Sequence, residues 1–299
     1  MEMVAAAKMR RAVEGVLRTR TYANLSWATI LNLSKEKTHG KLHPLLTKRE
    51  RIKKVGIVLI TSNRGLCGGY NSNIISKVHQ SILKHHNVDN NGKIEADFIL
   101  LGKKGASVRR HYGYNIEADF PKNDLISEVK EVIPVTKIVV DGFLQGKYDK
   151  VMVAYTDFIN PVNQKPRVKQ LLPVDVESED EELGILAGDS RVGTTKDFIH
   201  EKQVKHAKKR KYEHAYIFEP SPAEVLDEMI PRLVEVQIFQ ALLESNASEH
   251  SARMSSMHKA TDAAGDLVQE LTLYYNKSRQ AAITSEISEI SAGANALKK

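Results

Sequence analysis

The chain has 299 residues, 41% of them hydrophobic and 27% charged, with a formal net charge of +7 and one cysteine, Cys67. That length builds one large or two ordinary domains with a real core, and a lone cysteine excludes an intrachain disulfide and any cysteine-based zinc site. The positive charge admits nucleic acid, an anionic membrane surface or an acidic protein as partner and does not choose among them. The most apolar short run, VGIVLI at 55–60, is far too short to span a bilayer. The first residues, MEMVAAAKMRRAVEGVLR, carry early charges and no apolar signal core, so a soluble chain in a reducing compartment is expected.

Residues 1–48 are expected to form an N-terminal coiled-coil helix, with no proline before Pro44. Met9, Val13, Val16 or Leu17, Trp27 and Ile30 or Leu31 recur at spacings of three and four, opposite a basic face of Lys8, Arg10, Arg11, Arg18 and Arg20. Gly15 inside this helix costs about 1 kcal/mol relative to alanine, so the site must favour or tolerate a small residue.

Residues 52–220 alternate in character and predict an α/β domain. KVGIVLI (54–60), DFILLG (97–102), KVMVAYTDF (150–158) and VKQLLPV (168–174) read as strands. Ile74–Leu83, Lys103–Tyr112 and Asp124–Leu144 read as helices, the last with Pro134 in or near a break. Strands alternating with helices imply a mostly parallel sheet covered on both faces. The stretch 175–212 holds an acidic block, DVESEDEEL, and a basic block, KQVKHAKKRKY, and is expected as a mobile charged loop. EHAYIFEP (213–220) resembles one more strand.

From 223 to 293 almost nothing would stop a helix, apart from Pro231 near its start. At ~1.5 Å per residue that is a rod on the order of 100 Å, too long to bury itself in one domain. An apolar seam runs along it through Met229, Leu233, Val236, Leu243, Ala247, Met254, Met257, Ala264, Val268, Leu271 and Tyr275, interrupted by Gln240 and His250. The fold expected is therefore α/β: a long antiparallel coiled coil of the two terminal helices with a Rossmann-like α/β domain inserted between them.

The segment TSNRGLCGGYNSNI (61–74) poses the main chemical question. Glycines after a strand and before a helix can cradle phosphates. A P-loop requires G-x-x-x-x-G-K-[ST], which the chain lacks; GFLQGKY (142–148) is one residue short and has no Ser or Thr. Gly65, Gly68 and Gly69 also miss the dinucleotide spacing. The bland reading is a sharp turn in which glycine accepts positive φ, with Asn71 or Ser72 as helix cap and Cys67 as a small buried residue. Adjacent His85 and His86 point about 100° apart on a helix and make a poor metal site. The histidines from His200 to His214 read as solvated, and the basic N-terminal face lacks the interleaved aromatics of a nucleic-acid site. No catalytic residue, cofactor site or metal site is expected.

Three segments carry a family resemblance. MEMVAAAKMRRA (1–12), SNRGLCGGYN (62–71) and YYNKSRQAAITSEISEISAGANAL (274–297) closely resemble the gamma subunit of F-type ATP synthase, and the likeness runs in order along nearly the whole chain. The resemblance implies a central rotary shaft without catalytic residues. It implies alpha and beta subunits around the coiled coil, an epsilon subunit and membrane c-ring at the foot, and no nucleic acid. Met1, Lys8, Arg10, Arg11, Arg253, Gln280, Thr284 and Glu286 match positions that couple to those partners, and Tyr216 and Glu219 match the foot. The implied location is peripheral, on the cytoplasmic face of a bacterial membrane, or alternatively on the matrix side of the mitochondrial inner membrane. Two departures are expected to matter. Family members carry further residues before the segment that begins here at Met1, and the 175–212 loop is longer and more charged than theirs. A nucleotide-binding enzyme and a basic coiled-coil scaffold are the competing readings; nucleotide binding or salt-sensitive DNA binding by the isolated chain would favour them.

Overall fold

The computed structural model describes residues 1–35, 43–47, 49, 52–88, 94–124, 128–174 and 222–296. The loop 175–212, the strand expected at 213–220 and the side chains of His85 and His86 lie outside the described residues. The chain divides into two units, Met1–Met254 and Ser255–Lys299.

In the first unit, five strands form one sheet: β1 (Lys54–Ile60), β2 (Glu95–Leu101), β3 (Asn115–Phe120), β4 (Lys150–Phe158) and β5 (Gln164–Leu172). The strand order is β3-β2-β1-β4-β5, parallel except for the antiparallel β4–β5 pair. The apolar runs at 55–60 and 96–101 are uninterrupted because both faces of β1 and β2 are buried. Val58, Ile60, Ile99 and Leu101 point to one core, while Ile57, Leu59, Phe98 and Leu100 point to the other. The helices are α1 (Glu2–Lys35), α2 (Tyr70–Val88), α3 (Ser107–Tyr112), α4 (Ile133–Leu144) and α5 (Pro222–Ala296). On one face α2 and α3 supply Ile74, Val78, Ile82 and Val108. On the other, α4 and the first half of α5 supply Val135, Val139, Phe143, Ile230, Val234, Ile238 and Leu242.

Helix α1 lies antiparallel to that half of α5. A Cβ built on Gly15 would stand 3.5 Å from Leu243, Lys8 bonds Asp124, and Asp124 in turn accepts from His250, nearer the far end of the pairing. Among the described side chains of α1, those of residues 2–19, the buried ones are small, Ala5 and Ala12. The second unit is the continuation of α5. Its side chains are exposed from His258 to Asn295 apart from a half-buried Asn276, among them Leu267, Val268, Leu271, Ile283, Ile287 and Ile290. No helix among the described residues is long and apolar enough to cross a membrane.

Several boundaries differ from expectation. The expected helix Asp124–Leu144 begins only at Ile133, because Pro134 fits the first turn of a helix, where no backbone donor is needed. The strand expected at 168–174 starts at Gln164 and runs antiparallel at the sheet edge. An unexpected strand, β3, occupies 115–120. The expected helix at 103–112 is a 3-10 turn, Lys103–Ala106, followed by α3. Neither Asn71 nor Ser72 caps α2, which starts at Tyr70.

Candidate coupling site at the carboxyl edge of the sheet

In an open α/β sheet the ligand crevice lies beyond the carboxyl ends of the strands, where the chain order reverses. Here that point is between β1 and β4. The turn after β1 carries the three glycines, and Gly68 has φ 54, the positive value expected of glycine; the other positive φ in the turn belongs to Leu66, at 64. Asn71 turns back instead of capping: its Oδ1 accepts from Ser62 N at 3.0 Å and its Nδ2 donates to Ser62 Oγ at 2.7 Å.

The crevice is filled by α5. The Tyr70 hydroxyl meets Ser245 Oγ at 2.5 Å. Ser248 donates to the carbonyl of Thr156, at the end of β4, at 3.0 Å. Ser251 donates to the carbonyl of Pro161 at 2.6 Å. Arg253 directs its guanidinium at the glycine turn and donates to the carbonyls of Arg64 and Gly65 at 3.4 Å. A phosphate cradle presents amide donors to an anion; this turn presents carbonyl acceptors to a cation. The chemistry is thus reversed, and the occupant is the chain's own helix.

The ion pairs around it are buried. Glu249 is 3% exposed and its carboxylate is shared by Lys122 at 2.5 Å and Arg253 at 2.7 Å. Burial pushes the Glu249 carboxyl up, but the two cations outweigh it and hold it below its ordinary range. The Tyr70 phenol is pushed well up, first by burial and then by the Glu249 charge, so it stays a neutral donor. His250 is held below its ordinary value by burial, against the pull of the Asp124 carbonyl and Glu249. With Nδ1 3.2 Å from the Arg253 guanidinium and Nε2 3.1 Å from the Asp124 carbonyl, the ring is a neutral Nε2–H tautomer. The Lys8 ammonium, 2.7 Å from Asp124, brings α1 into the same network and lowers the Asp124 carboxyl.

The residues expected from the sequence fall into separate groups. Lys8 and Arg253 are tied within the chain at this edge. Arg10 and Arg11 are exposed on α1, and Met1 is 80% exposed. Gln280, Thr284 and Glu286 are exposed on the second unit, where the Thr284 hydroxyl bonds the Gln280 carbonyl at 2.8 Å. Tyr216 and Glu219 lie outside the described residues. Lys122, Glu249, Tyr70, Asn63 and Asp124 were not singled out from the sequence. A signal existed for Glu249: the run ESNASEHS (244–251) breaks the apolar seam with polar residues that are buried throughout. Lys122 carries no such signal. Among the described residues no three His, Cys, Asp or Glu side chains converge as a metal site.

Fold and site together define an open α/β protein built around one of its own long helices, with that helix where a doubly wound enzyme would place its ligand. A family model described as ATP synthase matches residues 1–297. The chain is 38% identical over 298 residues to the ATP synthase gamma chain of Legionella pneumophila, covering 99% of this chain and 92% of the relative. It is 40% identical over 300 residues to that of Heliobacterium modesticaldum, with the same coverage. The central stalk and c-ring structure of Tetrahymena thermophila mitochondrial ATP synthase contains a chain that superposes with a TM-score of 0.56 at 24% identity, covering 87% of this chain and 97% of that one. A rotor chain of the Euglena gracilis mitochondrial enzyme gives the same TM-score at 19% identity, covering 94% and 91%. The chain belongs to the ATP synthase gamma chain family.

Proposed function

We propose that this chain is the central shaft of an F-type ATP synthase, carrying rotation from a membrane c-ring to a hexamer of alpha and beta subunits and taking no catalytic part itself. The observation that carries this reading is the use of the crevice: the place where the fold would hold a nucleotide grips α5 instead. The exposed Leu267, Val268, Leu271, Ile283, Ile287 and Ile290 of the second unit give a helix with apolar surface for a surrounding sleeve. Arg10 and Arg11 supply exposed positive charge for acidic partner loops. Met1, Gln280, Thr284 and Glu286 are the proposed hexamer contacts. Tyr216 and Glu219 are the proposed contacts with the c-ring and epsilon subunit. The protein would then be peripheral, held on the cytoplasmic face of a bacterial membrane through its complex.

Co-expression with the alpha and beta subunits tests this, with ATPase turnover read in the purified sample. Stoichiometric capture with turnover raised above that of alpha and beta alone is expected. No capture of a folded chain, or ATP hydrolysis by the isolated chain, would remove the proposal.

A further inference from the structure

Lys122 stands in the loop after β3 and is 4% exposed. Its ammonium pairs with Glu249 of α5, and its backbone carbonyl accepts from Asn63 Nδ2. Asn63 belongs to the glycine turn after β1, and its Oδ1 accepts from Lys103 N, after β2, at 3.3 Å. The Ser62 carbonyl accepts from Lys104 N at 3.0 Å. One lysine therefore joins the loops after three successive strands to one turn of the long helix. The other carboxylate oxygen of Glu249 takes Arg253, whose guanidinium returns to the glycine turn.

A buried ion pair of this kind adds little net stability over well-packed apolar side chains, but it is satisfied in only one arrangement. Apolar contacts tolerate sliding. A helix advancing by one residue turns about 100° and rises ~1.5 Å, which would carry the Glu249 carboxylate away from Lys122 and leave both charges buried and unpaired. The pairing thus opposes both rotation and slip of α5 against the sheet.

We propose that Lys122 is a positioning residue for rotary coupling: through Glu249, and with Arg253, it keys the rotational register of α5 to the α/β domain, so that torque enters the helix without slip. This rests on the shaft reading above. The test uses the whole ATP synthase in inverted membrane vesicles and measures ions pumped per ATP hydrolysed. Lys122→Met combined with Glu249→Gln removes both charges with little change of volume. The expected result is an assembled complex whose pumping per ATP falls several-fold, with the ratio kept near wild type in Lys122→Arg. An unchanged ratio in the double variant overturns the proposal. If the double variant does not assemble, Asn63→Ala serves, since it loosens the Lys122 backbone without touching a charge. A smaller drop in the same ratio supports the key, and no drop overturns it. Failure of the wild-type chain to couple at all would instead sink the shaft reading.

Discussion

Gly102, at the end of β2, holds φ +109, and a Cβ there would stand 2.4 Å from the Thr61 carbonyl oxygen. Both the backbone conformation and the space are closed to other residues. Gly102→Ala is expected to destabilise the first unit by roughly 2–3 kcal/mol, read as a lower denaturant midpoint in chemical unfolding. His250 gives a second residue-scale expectation. Its folded pKa lies below the ordinary 6.5, so as pH falls through that value the unfolded chain gains a proton that the folded chain refuses. Stability should therefore fall on acidification from neutral. Glu249, Asp124 and Asp149 titrate below their ordinary values and add a further loss as pH drops past 4.5 and 3.8. Unfolding curves across this range should slope less in His250→Gln between neutral and mildly acid pH; an unchanged slope would assign the proton elsewhere. The groups facing the ring are Glu249 and Arg253 on its own helix, Lys122 and Asp124 from the loop after β3, and Lys8 beyond Asp124 on α1. The sequence marked Lys8, His250 and Arg253 as single positions but not the network that joins them. Lys122 reads as an ordinary surface lysine, since the partner that buries it is 127 positions away.

At the scale of elements, Gly15 of α1 faces Leu243 with ordinary van der Waals room for one methyl group. The sequence suggested a site that favours or tolerates a small residue, and the space shows tolerance. Gly15→Ala should raise stability by about 0.5–1 kcal/mol through helix propensity, whereas Gly15→Leu should lower the thermal midpoint by driving a branched side chain into Leu243. Strands β1 and β4 were legible because a strand buried on both faces writes a continuous apolar run. β3 was not: NIEADF alternates exposed Asn115, Glu117 and Asp119 with half-buried neighbours, and its charges mark the solvated edge of the sheet. The direction of β5 was also invisible, because pairing sense depends on where the chain returns and not on the composition of the strand. The same limit applies to residues 244–251 of α5. Serine, glutamate and histidine read as a wet interruption of the seam, yet Tyr70 at the start of α2, the Thr156 carbonyl near the end of β4, and Lys122 and the Asp124 carbonyl after β3 are the partners of Ser245, Ser248, Glu249 and His250.

At the scale of the molecule, the seam read along 229–275 has two fates. Leu233, Val236, Leu243 and Ala247 are buried in the first unit, while Val268, Leu271 and Tyr275 are exposed in the second. Truncation after Ser278 leaves the carboxyl-edge site intact, so the complex should still assemble while ATP synthesis falls sharply; unchanged synthesis would count against a coupling role for Gln280, Thr284 and Glu286. The grip on α5 also sets the order in which the protein can be made. Tyr70 meets Ser245 across 175 positions and Arg253 meets Gly65 across 188. During translation the ribosome delivers all five strands long before the helix that completes one of their faces and plugs their carboxyl edge. Until then the face holding Val58, Ile60, Ile99 and Leu101 is covered only in part, by α4, and its completion by α5 is a non-local closure that should come late in folding.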